Sequence, residues 1–293
     1  MINNPIFIGG TGRSGTSMLT KILSQDRDIL YFGESRFLVD KGGVYDILKK
    51  KCNKDIFQNR MMHSLRTRII GSLKTQGYKS RIYTKQNIYN IFKKCFVLND
   101  IDESELINFV RFIYELGLNE FKKNILLEKT PHTNIMVDFL YKVFPDMRYI
   151  HIIRDPRDIY CSMLCQKWGP KNKEDFIKYY NDNMITSWNS HIDIPDENYM
   201  YLRLEEIVEN PNLSMMRILN FTKLIHKLKI LKRYIFYISE KKAHIDRWRN
   251  ELSQEDSKDI MKRCNNSYNR WIDRKQRISN IKVPRRPKLI RFV

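Results

Sequence analysis

Residues 7–17, FIGGTGRSGTS, combine the features of an anion-binding loop. A short apolar run ends in Gly9 and Gly10, and small hydroxyl-bearing residues follow before a helical pattern begins at Thr16. Backbone N–H groups and the positive end of a helix dipole favour negative charge at such a turn. The sequence therefore predicts a phosphate-binding loop that joins the first strand to the first helix.

The loop lacks the lysine of nucleotide-hydrolysing proteins. Their pattern has two glycines separated by four residues, then lysine, then Ser or Thr. Gly10 and Gly15 keep that spacing, but Thr16 and Ser17 follow, and the cation within the loop is Arg13. We expect the loop to hold a phosphate-like group with neutral donors and one guanidinium. A nucleoside triphosphate with magnesium fits it less well.

A second candidate phosphate contact follows the most apolar strand pattern of the chain, residues 147–155, MRYIHIIRD. Arg154 ends this pattern, and a guanidinium can clamp a phosphate with its planar fork. Ser162 comes eight residues later, on a predicted helix, and can add a hydroxyl bond. The alternative role of Arg154 is structural, as the ion-pair partner of Asp155 or Asp158.

The elements that must position these residues alternate between strand and helix, which predicts a parallel sheet with helices on both faces. The fold class is α/β in three layers, α/β/α. Residues 37–122 show mostly helical periodicity and are predicted to be a helical insertion. Strands are predicted at residues 5–10, 29–32, 125–128, 147–155 and 199–204, and helices at about residues 16–25, 134–144, 156–166, 173–191 and 213–223.

The length of 293 residues, with 42% hydrophobic residues, is enough for a large core. We predict one domain over residues 1–280, which includes the insertion at 37–122, followed by a basic tail at 281–293. The chain has no run of 18 apolar residues, and its first residues lack the pattern of a secretory signal. Its five scattered cysteines show no zinc spacing, which favours free thiols and a cytoplasmic location.

The formal net charge of +20 is unevenly distributed. Residues 41–99 hold 14 Lys and Arg against 2 acids, and residues 223–293 hold 21 against 7. Such a charge suits an anionic ligand, an anionic membrane surface or nucleic acid, and does not choose among them. Residues 223–242, both basic and apolar, fit either a packed helix with a solvated face or an amphipathic helix at a membrane surface.

In this order, the two phosphate motifs resemble those of the sulfotransferase family, which uses 3′-phosphoadenosine-5′-phosphosulfate (PAPS) as sulfuryl donor and releases adenosine 3′,5′-bisphosphate. The 5′-phosphosulfate loop of that family reads Pro-[Lys/Arg]-Ser-Gly-Thr-[Thr/Ser]. Residues 12–17 match it, with Gly12 in the proline position. The 3′-phosphate site of the family is matched by Arg154 and Ser162. The resemblance implies a P-loop NTPase-like fold, and it assigns the 5′-phosphosulfate to Gly12, Arg13, Ser14, Gly15, Thr16 and Ser17.

Further segments extend the resemblance over about residues 5–40 and 123–275. It is closest in style to tyrosylprotein sulfotransferases and their bacterial relatives, which carry a Gly-Glu-x-x-Arg element after the first helix. That element is one residue shorter here, ending at Arg36. Residues 203–211 resemble the Arg-Tyr-Glu-Asp-Leu-Val-x-x-Pro segment of the family, with Leu204 in place of the tyrosine that usually faces the adenine. The family's C-terminal segment closes over the nucleotide and is matched by Arg247, Trp248 and Arg249.

The resemblance implies in-line transfer of a sulfuryl group from PAPS to an acceptor hydroxyl, without a metal. Arg13 and Lys129 would stabilise the charge that develops, and Glu34 would be the base. His132, near Lys129 in the sequence, is the competing base or an acceptor contact. Glu34 could instead be an ion-pair partner of Arg36, and Arg36 could help to hold the acceptor.

The acceptor would be a carbohydrate, a lipid or glycolipid, or a protein tyrosine, and the insertion at 37–122 would shape its pocket. Peripheral contact with an anionic membrane is compatible with the charge, and no nucleic-acid partner is expected. Two other classes compete with this function. A P-loop kinase or NTPase would need a carboxylate for magnesium, for which Asp155 is the candidate. A non-enzymatic polyanion-binding protein would need only the basic surface.

Overall fold

A sheet of five parallel strands forms the centre of the protein in the computed structural model, which describes residues 2–96, 101–224, 238 and 243–273. The strand order is β2-β3-β1-β4-β5, and every neighbouring pair is parallel. Because β1 is central, the loop that follows it opens over the middle of the sheet. The strands are β1 (Ile6–Gly10), β2 (Ile29–Gly33), β3 (Ile125–Glu128), β4 (Arg148–Ile153) and β5 (Tyr199–Arg203).

The central strand is buried on both faces, as its continuous apolar run predicts. Ile6, Phe7 and Ile8 are all fully buried. Ile6 and Ile8 belong to one hydrophobic cluster and Phe7 to the other. Burial of such side chains contributes about 1.5–3 kcal/mol each, so the two clusters hold the helices against the sheet from opposite sides.

Helices pack on both faces of the sheet, which confirms the predicted three-layer α/β/α arrangement. The two helical layers are formed by different segments of the chain. One layer is α1 (Thr16–Leu23) with α10 (Leu204–Glu209) and α11 (Pro211–Phe221). The other contains α6 (Glu103–Phe121), α7 (Val137–Val143), α8 (Pro156–Leu164), α9 (Lys173–His191) and α13 (Gln254–Asp273), and the short helix α12 (Trp248–Glu251) precedes α13.

In the part of residues 37–122 that the structure describes, the predicted insertion consists of helices joined by turns and loops. Its core continues into that of the sheet, since the Tyr114 ring lies 4.9 Å from Phe32 and 6.2 Å from Phe7 between ring centroids. Before α6 it contains α2 (Val44–Leu48), α3 (Lys54–Ser64), a π-helical turn (Leu65–Ile69), α4 (Ile70–Thr75) and α5 (Lys85–Cys95).

Some element boundaries differ from the predicted ones. The helix predicted for 134–144 begins earlier, as a 3-10 helix (Pro131–Met136) that leads into α7. The one predicted from residue 213 begins at Pro211. In both cases proline occupies the first turn, where its missing N–H costs nothing. Within the described residues, no helix is long and apolar enough to cross a membrane. Apart from residues 223, 224 and 238, the basic segment 223–242 lies outside the described residues, as does the tail 281–293.

Candidate active site

The predicted anion loop occupies residues 11–15, between β1 and α1. Gly15 precedes α1 with a left-handed φ of 99°. At Gly10 a Cβ atom would lie 2.3 Å from the carbonyl oxygen of Ile152, so no side chain fits there. Arg13 also has a left-handed φ, of 69°. For residues other than glycine this conformation costs roughly 1–2 kcal/mol, and such strain is concentrated at functional sites.

The interior of the loop offers a donor without a partner. Ser14 is fully buried, and its hydroxyl makes no hydrogen bond to any residue that the structure describes. Leaving a buried polar group unsatisfied costs about 1–3 kcal/mol, and an anion in the loop would accept this hydroxyl. The loop therefore fits the phosphate-like group that the sequence predicts.

The second predicted phosphate contact joins the loop directly. Arg13 Nε donates to Ser162 Oγ on α8 at 2.8 Å. Arg154 Nη1, just beyond β4, donates to the carbonyl oxygen of Arg13 at 3.0 Å. The two motifs, which are about 140 residues apart in the chain, thus belong to one hydrogen-bonded network.

Arg154 lines the cleft at this network and also has a structural partner. Its Nη2 lies 3.6 Å from Asp158 Oδ2 and donates to the carbonyl oxygen of His244 at 2.6 Å. Asp158 is buried, and it accepts hydrogen bonds from the N–H groups of Asp246 (2.9 Å) and Trp248 (3.2 Å). The two roles considered for Arg154, phosphate contact and ion pair, are therefore compatible.

The three predicted C-terminal contacts have different surroundings. Arg247 lines the cleft, and its guanidinium makes two bonds to Glu251, of 2.8 and 2.9 Å. The Trp248 ring lies 3.6 Å from the guanidinium carbon of Arg157, and Arg249 pairs with Asp246 at 3.4 Å. Trp248 and Arg249 are not among the residues that line the cleft, and their contact with a nucleotide stays a prediction.

Lys129 connects the loop to the candidate base. Its Nζ donates to Ser17 Oγ at 3.1 Å and forms a short ion pair with Glu34 Oε1. Lys129 is 4% exposed, whereas the side chain of Glu34 is 43% exposed in the cleft. The ion-pair partner of Glu34 is therefore Lys129, not Arg36 as the alternative had it.

Arg36 pairs with Asp40 instead. Its Nε lies 2.8 Å from Asp40 Oδ1, and Arg60 binds the other oxygen of the same carboxylate. The backbone of Arg36 is left-handed, with a φ of 60°, and its N–H donates to Thr130 Oγ1 at 3.3 Å. Arg36 and Glu34 both line the cleft.

Glu128, which sequence reasoning missed, lies beneath the Lys129–Glu34 pair. It is fully buried and accepts hydrogen bonds from Ser35 Oγ (2.9 Å) and from the N–H (3.1 Å) and hydroxyl of Thr130. Burial raises the pKa of this carboxyl to about 7, although the hydrogen bonds counteract part of the effect. Glu128 thus ties the end of β3 to the residue that follows Glu34. The sequence feature that could have drawn attention to Glu128 is its position as a charged residue at the end of an apolar strand.

His132 contacts a second residue without a sequence signal, Tyr179 on α9. The Tyr179 hydroxyl accepts a hydrogen bond from Gly12 N–H at 3.2 Å and lies 2.7 Å from His132 Nε2. Burial, and then the charge of Arg36, lower the pKa of His132. A neutral imidazole can accept the Tyr179 proton at Nε2, which leaves this nitrogen occupied.

These residues surround a single cleft of about 1340 Å³. The predicted site residues that do not line it are Ser14, Lys129, Trp248 and Arg249. Within the described ranges, no cluster of three or more His, Cys, Asp or Glu side chains is arranged to hold a metal ion. The predicted residues that line the cleft are Gly12, Arg13, Gly15, Thr16, Ser17, Glu34, Arg36, His132, Arg154, Ser162 and Arg247.

A model of the sulfotransferase family matches residues 5–227 of the chain. A comparison with curated proteins gives no match.

Three solved structures share the fold. The sulfotransferase domain from the curacin biosynthetic pathway is 13% identical, with a TM-score of 0.55 over 90% of this chain and 98% of that one. A sulfotransferase from Mycobacterium avium is 15% identical, with a TM-score of 0.52 over 94% and 77%. One from Mycobacterium tuberculosis is 14% identical, with a TM-score of 0.50 over 90% and 76%. At these identities the likeness concerns the fold.

Proposed function

The chain belongs to the sulfotransferase family, and on that premise we propose that it transfers a sulfuryl group from PAPS to an acceptor hydroxyl by in-line displacement. The observation that carries the proposal is the network in which Arg13, Ser162 and Arg154 join the anion loop to a second cationic position. A donor with phosphates at both its 5′ and 3′ ends needs two such positions.

The residues present fit this donor. The loop amides, the unpaired hydroxyl of Ser14 and the guanidinium of Arg13 would hold the 5′-phosphosulfate. Arg154 and Ser162 would hold the 3′-phosphate. Leu204 lies against Gly15, where a Cβ atom would be 2.6 Å from Leu204 Cδ1. An aliphatic side chain there is compatible with packing against a base, though without the stacking that the family's tyrosine provides.

When bound, the donor supplies the sulfuryl group: the sulfur–oxygen bond to its 5′-phosphate breaks as a bond to the acceptor oxygen forms, and the bisphosphate keeps the electron pair. Glu34 accepts the proton of the acceptor hydroxyl. Lys129 lies between Ser17 of the loop and Glu34, so one ammonium serves both the donor side and the base. Fixed donors of this kind contribute about 3–4 kcal/mol each to transition-state stabilisation.

Glu34 is a better base than His132. Its carboxylate is exposed in the cleft beside the loop. His132 Nε2 is within 2.7 Å of the Tyr179 hydroxyl, which is itself fixed by Gly12. We assign His132 and Arg36 to contact with the acceptor.

The P-loop kinase alternative is disfavoured by the state of Asp155. Its carboxylate is bound by the side chain of Arg157, at 2.6 and 3.0 Å, and by the Arg157 N–H at 2.8 Å. A carboxylate that holds magnesium needs free oxygens, and these are engaged.

The test is to incubate the purified protein with fractionated cell extract and either ³⁵S-labelled PAPS or γ-³²P-labelled ATP. Label transfer from PAPS alone is expected, with adenosine 3′,5′-bisphosphate as the co-product. Transfer from ATP alone, in a magnesium-dependent manner, would establish the kinase instead.

A further inference from the structure

The lining of the cleft extends beyond the residues that would hold the donor, and it includes an aromatic part and a cationic part. The aromatic side begins at Trp168, in the loop between α8 and α9. Its side chain is 60% exposed and lines the cleft. A Cβ atom on Gly12 would lie 3.3 Å from the indole and 3.5 Å from the Tyr179 hydroxyl, so the indole lies beside the anion loop. The Tyr179 hydroxyl in turn contacts His132, which also lines the cleft.

The same cleft has a cationic side. Lys21, Arg36, Lys41 and Arg68 line it, and Arg68 lies in the π-helical turn. Such turns occur frequently at functional sites. The side chains of Lys21, Lys41 and Arg68 are exposed, and none forms an ion pair with a described residue in the structure.

Acidic neighbours do not neutralise this cationic side. The acidic residues that line the cleft within the described ranges are Glu34 and Asp40. Glu34 is paired with Lys129, and Asp40 is shared by Arg36 and Arg60. The phosphates of the donor are served by Arg13 and Arg154. The positive charge of the cationic side is therefore left for another anion, which would bind in the same cleft as Glu34.

Resting on the function proposed above, we propose that the acceptor is an acidic oligosaccharide. Its target hydroxyl lies at Glu34, a sugar ring packs on the Trp168 indole, and its carboxylate or sulfate groups bind Arg68 and Lys41. A flat, exposed indole offers a large apolar face to a ring, and an anion on the cationic side gains electrostatic affinity and specificity.

An acidic tyrosine peptide fits these observations less well. The only ring that such a peptide must contain is that of the tyrosine. Its hydroxyl is the reacting group, so the ring would lie at Glu34. Nothing in such a peptide then requires a ring on Trp168, which lies beyond Gly12 and Tyr179. In a sugar chain, the neighbouring residues supply both a ring face and an anionic group on either side of the hydroxyl.

The test measures binding to protein saturated with adenosine 3′,5′-bisphosphate, so that the donor positions cannot bind the probe. The probes are a hyaluronan hexasaccharide, which carries carboxylates and free hydroxyls, and chitohexaose, a neutral chain of similar rings. We expect calorimetry to give at least about tenfold tighter binding of hyaluronan, because opposite charges attract across the cleft.

Two variants and two matched controls decide the placement. Arg68→Glu and Trp168→Ala are each expected to weaken hyaluronan binding about 10-fold or more, which corresponds to about 1.4 kcal/mol. Lys258→Glu makes the same charge change at an exposed position on α13, and Tyr89→Ala removes an exposed ring on α5. Both controls are expected to bind like the wild type.

Three outcomes overturn the proposal. Equal affinity for the two sugars would show that the site does not require an anionic group. An equal loss of hyaluronan affinity in Arg68→Glu and Lys258→Glu would show that the overall charge of the protein, and not Arg68, attracts the sugar. An acidic tyrosine peptide that binds more tightly than hyaluronan, with binding sensitive to Arg68→Glu, establishes a peptide acceptor. Failure to bind adenosine 3′,5′-bisphosphate at all would instead count against the proposed function.

Discussion

The Arg13 side chain donates to the hydroxyl of Ser162, which is 149 residues away in the sequence, at 2.8 Å. Arg13 belongs to the anion loop and Ser162 to helix α8, so this bond couples the two halves of the proposed donor site. A substitution of Ser162 should therefore weaken the binding of both phosphate groups of the nucleotide. The effect should be larger for the 3′-phosphate, which the hydroxyl itself would contact.

Ser162→Ala is expected to weaken the binding of adenosine 3′,5′-bisphosphate about 10- to 100-fold, because a hydrogen bond to a charged group contributes about 1.5–3 kcal/mol. The affinity for adenosine 5′-phosphate should change much less. Calorimetric titration with both nucleotides measures the difference, and Ser104→Ala, at an exposed position, is the control. Equal losses for the two nucleotides would mean that Ser162 acts only through Arg13.

Arg154→Ala should reduce both nucleotide affinity and stability. Removing the guanidinium leaves the buried carboxylate of Asp158 without its cation, which typically costs about 3–5 kcal/mol. The double variant Arg154→Ala/Asp158→Asn should recover much of the free energy of unfolding but not the affinity for adenosine 3′,5′-bisphosphate. Recovery of both would show that Arg154 contributes to folding alone.

Glu34→Gln should lower turnover about 10²- to 10⁴-fold, the range for removal of a general base, with unchanged affinity for adenosine 3′,5′-bisphosphate. His132→Gln should act mainly on KM for the acceptor, since its Nε2 is occupied by Tyr179. Turnover is measured by label transfer from PAPS in the acceptor-containing fraction. An active Glu34→Gln beside an inactive His132→Gln would exchange the two roles.

Glu128 should make stability depend on pH. Its pKa is raised from 4.5 to about 7 in the folded protein, so the folded state binds the proton more tightly than the unfolded state. The resulting stabilisation is complete below pH about 4.5 and is lost as pH rises through about 7.

Relative to Glu128→Gln, the free energy of unfolding of the wild type should therefore fall by about 3 kcal/mol between low pH and pH 8. Urea denaturation of both proteins across this range measures the difference, and the other titrating groups cancel between them. Parallel curves would mean that Glu128 titrates normally.

Gly10→Ala should destabilise the protein by about 1–3 kcal/mol, the usual cost of overpacking, because its Cβ atom would meet the backbone oxygen of Ile152. Binding of adenosine 3′,5′-bisphosphate should weaken as the loop shifts. Gly71→Ala, where no atom lies within 4 Å of the new Cβ, is the matched control in helix α4. It should be stabilising by about 0.5–1 kcal/mol. Equal effects at the two positions would contradict the close approach of Gly10 to the Ile152 backbone.

The parts of the fold that local sequence determines were predictable. The helix predicted at residues 173–191 has those bounds, because Asn172 caps its first turn by accepting the N–H of Asp175. The loop was predictable because Gly10 and Gly15 have positive φ angles, which glycine adopts more readily than other residues. Its neighbour Arg154 follows an unmistakable buried strand.

The parts of the site that depend on contacts between distant segments were not predictable. Tyr179 lies 47 residues from His132 and carries no motif. The partner of Glu34 is set by the order of the strands, since β2 and β3 are neighbours although a helical insertion separates them in the chain. For the same reason, Glu128 gave no sign of its link to Ser35 until the two strand ends met.

The contacts of Asp158 also determine when the proposed donor site can be completed during synthesis. The backbone N–H groups that it accepts belong to residues 246 and 248, which leave the ribosome long after the sheet strands and the anion loop. A nascent chain that ends before them has the loop but lacks the turn that holds Asp158 beside Arg154. The proposed donor site would therefore be completed only late in synthesis, and a product truncated before residue 246 would lack both this turn and the part of the core that α13 supplies.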